Sequence, residues 1–203
     1  MEQVNRDFAA RPAIARHASS ATGAAGAQPG KETRALAGVL VIALLLLCGA
    51  IAAGVRINGT HSFPVGFYFA SRKRPEKGDL VFVNPPGCPL FTLAKERGYL
   101  GAGYSAAGCG YLIKRLAGVA GDRVTIDSTG VVVNGVRLVN SAPCNCDGTG
   151  RPLQPYALKD HILGPDEVLL MSDYSPESFD SRYFGPLEAT TIESVITPLL
   201  TWN

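Results

Sequence analysis

The longest apolar run in the chain is Ala35 to Val55, ALAGVLVIALLLLCGAIAAGV, closed by Arg34 on one side and Arg56 on the other. It carries no charge over 21 residues. A helix rising about 1.5 Å per residue would cover about 31 Å, close to the thickness of a bilayer's hydrocarbon core. The pattern predicts a transmembrane anchor over 35–55. Residues 1–34 place Arg6, Arg11, Arg16, Lys31 and Arg34 among Ala, Gly and Ser with little apolar periodicity, which predicts a disordered tail. The basic excess puts that tail in the cytoplasm and residues 57–203 across the membrane. A cleavable signal peptide is the rival reading, because Ala50-Ile51-Ala52 is a small-x-small site. Against it, the apolar run exceeds the roughly 7–15 residues of a signal core, and the arm before it is long. A lipid-modified Cys48 is disfavoured because Leu47 before it is not small.

Past the anchor the pattern changes to short runs rich in β-branched and aromatic residues: 65–70, 79–83, 111–116, 123–127, 131–133, 136–139, 167–171 and 191–197. Gly, Pro, Asn and Asp separate them. Asn134-Gly135 between VVV and VRLV is a two-residue hairpin signal, since both turn positions need positive φ. No stretch here sustains helical periodicity over three turns. The expectation is one mainly β, mostly antiparallel domain with its own core, preceded by one transmembrane helix.

Composition adds exclusions. The 203 residues include 19 basic and 17 acidic side chains, a net charge of +2, and the longest run of Lys and Arg is Arg72-Lys73-Arg74. Nucleic acid is therefore not expected as a partner. Of the five cysteines, Cys48 lies in the apolar run, leaving Cys88, Cys109, Cys144 and Cys146. On an oxidising side of the membrane these predict up to two disulfides with three possible connectivities. Cys88–Cys109 would close a Gly-rich excursion, and Cys144–Cys146 a tight local ring. Zinc is disfavoured, because no His lies near the C-x-C and His61 and His161 are isolated.

Three places carry candidate chemistry. Ser62 sits in Asn58-Gly59-Thr60-His61-Ser62-Phe63-Pro64-Val65-Gly66, where Gly and Pro dictate an irregular backbone; alone it reads as a turn serine. Lys114 alternates onto one strand face with Leu112 and Leu116, while Arg115 points the other way. Such a lysine either snorkels or is desolvated with a lowered pKa, and a neutral amine can serve a serine nucleophile as general base. The run 172–185 is dense in hydroxyls, with Asp180 and Arg182. It reads as a solvated loop or as a support shell in which Ser178 and Asp180 contact the lysine and Arg182 holds Asp180.

In chain order the motifs are Ser62-x-Pro64-x-Gly66 after an apolar segment, Lys114-Arg115-Leu116-x-Gly118-x-x-Gly121-Asp122, Val133-Asn134-Gly135, and Ser178-x-Asp180-Ser181-Arg182-Tyr183-x-Gly185-Pro186. Together, over roughly residues 58–196, they resemble the signal peptidase I family of Ser/Lys proteases. Bacterial signal peptidases usually have Gly-Ser-Met-x-Pro around the serine and Gly-Asp-Asn at the start of the late loop. Here Thr60-His61-Ser62-Phe63-Pro64-Val65-Gly66-Phe67-Tyr68 resembles the TraF-type conjugative transfer peptidases instead, and the late loop departs by beginning Ser172-Asp173-Tyr174-Ser175. The resemblance implies a signal-peptidase-like β domain in the periplasm, anchored in a bacterial inner membrane. It implies Ser62 as nucleophile, Lys114 as general base, Asp180 as a required acid, Thr60 as an oxyanion donor, and Ser178 and Arg182 in support. No metal or organic cofactor is implied. The implied substrate is a membrane-tethered protein, a pilin precursor cut (or cyclised by a substrate amine) next to small side chains. A general signal peptidase acting on secretory precursors shares this chemistry. A LexA-like self-cleaving regulator does too, but an anchor in place of DNA-binding helices argues against it. A non-catalytic, membrane-anchored component of a conjugation or secretion apparatus is the alternative from another class.

Overall fold

A computed structural model describes residues 30–202. Helix α1 runs Lys31–Ala52 and is long and apolar enough to cross a membrane. It starts four residues before the apolar run and ends three before it does, because Val55 already opens a strand. The tail expected over 1–34 lies, up to residue 29, outside the described residues.

The strands that follow are β1 (Val55–Asn58), β2 (Val65–Ser71), β3 (Leu80–Val83), β4 (Leu112–Gly118), β5 (Arg123–Asp127) and β6 (Gly130–Val133). They continue with β7 (Val136–Arg137), β8 (Leu158–Ile162), β9 (Glu167–Met171), β10 (Leu187–Glu188) and β11 (Ile192–Trp202). Helix α2 (Pro89–Glu96) and the single turn α3 (Ser181–Phe184) interrupt them. Seven strands form one sheet in the order β1-β2-β11-β3-β4-β9-β10, and four form a second, β7-β6-β5-β8. Every pairing is antiparallel. The expected mainly β fold is what the chain adopts.

Three apolar clusters hold it. Val81, Val83, Leu112, Leu116 and Leu170 pack with Phe91 of α2 and with Phe179, Tyr183 and Phe184. Val124, Ile126, Val131 and Val133 of the smaller sheet pack with Leu169 and Met171. Phe63, Tyr68, Phe82, Ile113 and Ile196 form the third, beneath the Ser62 loop. Each such fully buried side chain contributes about 1.5–3 kcal/mol of transfer free energy. The Asn134-Gly135 turn has φ of 50° and 82°, the left-handed pair that a two-residue hairpin requires.

The disulfide expectation is corrected: all five cysteines are free thiols. Cys109 is buried in the first cluster and directs its thiol at the carbonyls of Phe91 (3.6 Å) and Ala107 (3.5 Å). Its space is filled by apolar packing rather than a crosslink. Cys144 and Cys146 are both exposed. Several short elements also escaped the pattern, α3 and β10 among them. β1 continues the apolar run, β8 reads LKDHI with little alternation, and α2 has only eight residues.

Candidate active site

The site forms where two neighbouring strands part. β9 pairs with β4 only as far as Met171 opposite Arg115. Beyond that the chain turns away at Ser172, and the Ser62 loop enters the fork beside the first half of β4. The alternation along β4 then sorts the contacts: Leu112, Lys114 and Leu116 face one side, Ile113 and Arg115 the other. Ser62 meets Lys114 on the first side. Phe63 packs with Ile113 on the second, where the Arg115 guanidinium lies 5.9 Å from its ring centroid. Arg115 is fixed by Asp173 at 2.6 Å and by the Gly78 carbonyl at 2.8 Å.

Local hydrogen bonds shape the serine loop. Asn58, only 3% exposed, donates from Nδ2 to the carbonyls of Thr60 (3.1 Å), Phe63 (3.0 Å) and Pro64 (3.0 Å). Its Oδ1 accepts from the Thr60 N–H (2.9 Å) and the Thr60 hydroxyl (2.8 Å). Tyr68 donates its hydroxyl to the Pro64 carbonyl at 2.6 Å. Gly66 closes the motif because a Cβ there would stand 2.2 Å from the Leu200 carbonyl oxygen, at φ 153°. The Ser62-x-Pro64-x-Gly66 pattern is thus a turn stapled by Asn58 and seated on β11.

Lys114 Nζ lies 3.1 Å from Ser62 Oγ and 2.7 Å from Ser178 Oγ, and Ser178 Oγ donates to Ser62 Oγ at 3.3 Å. Lys114 is 0% exposed. Burial pulls its pKa from 10.5 down to about 8; the Asp180 charge opposes that shift and the Arg182 charge adds to it. The cause is plain from the contacts. An ammonium has three protons to place, and the partners here are two neutral hydroxyls with no carboxylate in hydrogen-bond range. An amine so disposed can accept the proton of an adjacent serine near neutral pH.

Asp180 and Arg182 are both 0% exposed and form a two-pronged ion pair, Nε to Oδ1 at 2.7 Å and Nη2 to Oδ2 at 2.9 Å. The other guanidinium protons go to the carbonyls of Ala142 (3.3 Å), Pro176 (2.7 Å) and Ser172 (3.4 Å). The expectation that Ser178 and Asp180 both touch the lysine is therefore half right. Ser178 does. Asp180 is occupied instead by Arg182 and by the N–H of Ser172 at 2.9 Å, so it acts on Lys114 through its field. Thr60 lines the same cleft as Ser62, with its hydroxyl hydrogen directed at Asn58 rather than into the cleft.

A cavity of about 640 Å³ opens on Ser62 and Ser178. Its walls are 59–62, 98–101, 110–113, Cys144, 146–148, Ser175 and 177–179 together with Leu153 and Tyr183. The 144–153 wall is pinned rather than free: Asp147 accepts from Tyr99 and Arg151, and Arg97 donates to the Pro152 carbonyl. The far ends of this strap are tied to the buried pair, since Tyr156 N–H donates to the Arg182 carbonyl at 2.8 Å. Asn58 and Ser172 were not singled out from the sequence. An Asn-Gly at the mouth of an irregular loop was the available signal for Asn58. Ser172 was one of several hydroxyls in its run.

The family model described as "Signal peptidase, peptidase S26" matches residues 31–200. The chain is 49% identical over 172 residues to an Escherichia coli plasmid transfer protein TraF, covering 83% of this chain and 97% of that one. It is 39% identical over 169 residues to a probable conjugal transfer protein TraF of Sinorhizobium fredii (strain NBRC 101917 / NGR234), covering 82% and 88%. A signal peptidase I structure from Enterococcus faecalis V583 is 21% identical, covering 63% of this chain and 100% of that one at a TM-score of 0.37. The assignment rests on the family model and the TraF relatives, not on that superposition. On these grounds the chain belongs to the signal peptidase, peptidase S26 family, among its TraF conjugative transfer members.

Proposed function

We propose that the chain is a membrane-anchored serine endopeptidase that uses a Ser62/Lys114 dyad to process a conjugative pilin precursor at the periplasmic face of the inner membrane. The observation that carries this reading is one contact: a wholly buried lysine, with a pKa near 8, 3.1 Å from a serine hydroxyl that lines a cleft. In the proposed reaction neutral Lys114 takes the Ser62 proton as Oγ attacks the scissile carbonyl. The resulting ammonium protonates the leaving amine, and a Lys114-activated water releases the acyl group. Ser178 orients Nζ through its 2.7 Å bond and so leaves the lone pair for Ser62. Asp180 and Arg182 hold the loop that carries Ser178. The Ser62 N–H is the proposed main oxyanion donor, with Thr60 joining once its hydroxyl leaves Asn58.

The substrate class follows from tethering. Ser62 is ten residues past the end of α1 at Ala52, a reach of at most about 35 Å of extended chain. A site on so short a leash favours proteins that are themselves held at the membrane. The names of the relatives, plasmid and conjugal transfer proteins, favour a conjugation substrate over a general secretory one. The decisive experiment is co-expression with a pilin precursor and mass spectrometry of the product. Cleavage that requires both Ser62 and Lys114 supports the reading, and a precursor left intact by the wild-type chain overturns it. A product lighter than the linear trimmed peptide by one water identifies cyclisation.

A further inference from the structure

We propose that Ser172 is a positioning residue for Ser62, and that through it the buried Asp180–Arg182 pair keeps the Ser62 hydroxyl in register with Lys114. The inference rests on the Ser62/Lys114 reading and adds a part to it. Ser172 is 0% exposed, so it is no ordinary turn serine. Its hydroxyl donates to the Ser62 carbonyl at 2.7 Å, across 110 residues of chain, and accepts from the N–H groups of Tyr174 (3.3 Å) and Ser175 (3.1 Å). Its own N–H donates to Asp180 Oδ2 at 2.9 Å, and its carbonyl accepts from Arg182 Nη2 at 3.4 Å.

Asn58 holds the carbonyls of Thr60, Phe63 and Pro64, but its bonds skip Ser62. Ser172 supplies the clamp at that residue, from the opposite side of the fork. With the Ser62 carbonyl fixed, rotation about the Ser62 Cα–C bond is stopped and Cβ is aimed at Nζ. This also gives Asp180 a task although it makes no contact with Lys114: it sets the main chain of Ser172. The geometry needs a hydroxyl at 172 to reach the Ser62 carbonyl.

Loss of that clamp is a loss of aim, and a misplacement of about 1 Å can cost on the order of 100-fold in rate. Ser172 does not line the cleft, and the charges acting on Lys114 remain. The test uses the full-length, detergent-solubilised protein and an internally quenched peptide with Ala on both sides of the scissile bond. Ser172→Ala and Ser172→Gly are expected to lower kcat by about 30- to 100-fold. KM should stay within about twofold and the pH midpoint should not move, and Ser172→Thr should recover most of the rate. Thermal melts identify the folded variants, and the glycine variant carries the test should alanine misfold. Wild-type kcat in a folded alanine or glycine variant overturns the proposal. So does a loss confined to KM, a shifted pH midpoint, or a folded threonine variant no faster than alanine. Ser62→Ala run beside them separates the two readings. If it still cleaves, the dyad falls; if it is dead while Ser172→Ala is fully active, only the clamp falls.

Discussion

Lys114 Nζ and Ser62 Oγ stand 3.1 Å apart although 52 residues separate them in the chain. What brings them together is the fork between β4 and β9. β4 supplies the lysine on its apolar face, and the loop after β1 delivers the serine where β9 has left the sheet.

On the proposed dyad, Ser62→Ala and Lys114→Met each abolish cleavage, by at least about 10³-fold, while the β domain stays folded. Far-UV circular dichroism checks the fold. A serine-reactive acylating probe read by intact mass should add to the wild-type chain at Ser62 and not to Ser62→Ala.

The pH dependence has a fixed sign. Only neutral Lys114 can accept the Ser62 proton, so kcat/KM should rise tenfold per pH unit on the acid side and level off above a midpoint near 8. Initial rates from pH 6 to 10 measure it. A midpoint near the ordinary lysine value would mean the amine is not desolvated during turnover.

The same burial costs stability. The folded chain holds Lys114 at about 8 against 10.5 for the free side chain, a difference of about 3 kcal/mol. Between those values the unfolded chain binds the extra proton, so this contribution to stability rises with pH through the window from 8 to 10.5. Below it the penalty is complete. Lys114→Met should therefore raise the unfolding free energy at pH 7 by about 2 kcal/mol, and the gain should shrink by pH 10, as denaturant titrations at both pH values will register.

Asp180→Asn leaves the Arg182 guanidinium buried without its counter-charge, a loss of about 3–5 kcal/mol. Asp180 raises the Lys114 pKa and Arg182 lowers it, so removing the carboxylate moves the acid limb of any residual activity to lower pH. A thermal melt and a pH–rate profile on the same preparation test both halves.

The cysteines give a chemical map of the cleft. Cys144 and Cys146 are exposed on its wall, whereas Cys109 is buried. In the folded protein maleimide should modify the first two and spare Cys109 until denaturant is added. A bound peptide substrate should slow the labelling of Cys144 and Cys146. Peptide mapping resolves each position.

Much of the architecture was written in local pattern. The unbroken apolar run announced α1, two-residue alternation announced the central strands, and Asn134-Gly135 announced its hairpin, because each depends on side chains within a few residues. Lys114 was likewise legible, as a charge on the Leu112–Leu116 face of a strand. What local pattern could not supply was the partner list. The cysteines looked like crosslinks because their number and the expected compartment allowed it, yet pairing depends on Cα and Cβ geometry that only the packed chain sets. Asp180 looked like the lysine's neighbour, and the fold gave both its oxygens to Arg182 and Ser172. Of the two residues that hold the serine loop from opposite sides, Asn58 had only the weak signal of its Asn-Gly step, and Ser172 carries no sequence mark of that task. The Ser172 bond to Ser62 joins segments 110 residues apart, and distance along the chain says nothing about which strands diverge to let a loop in.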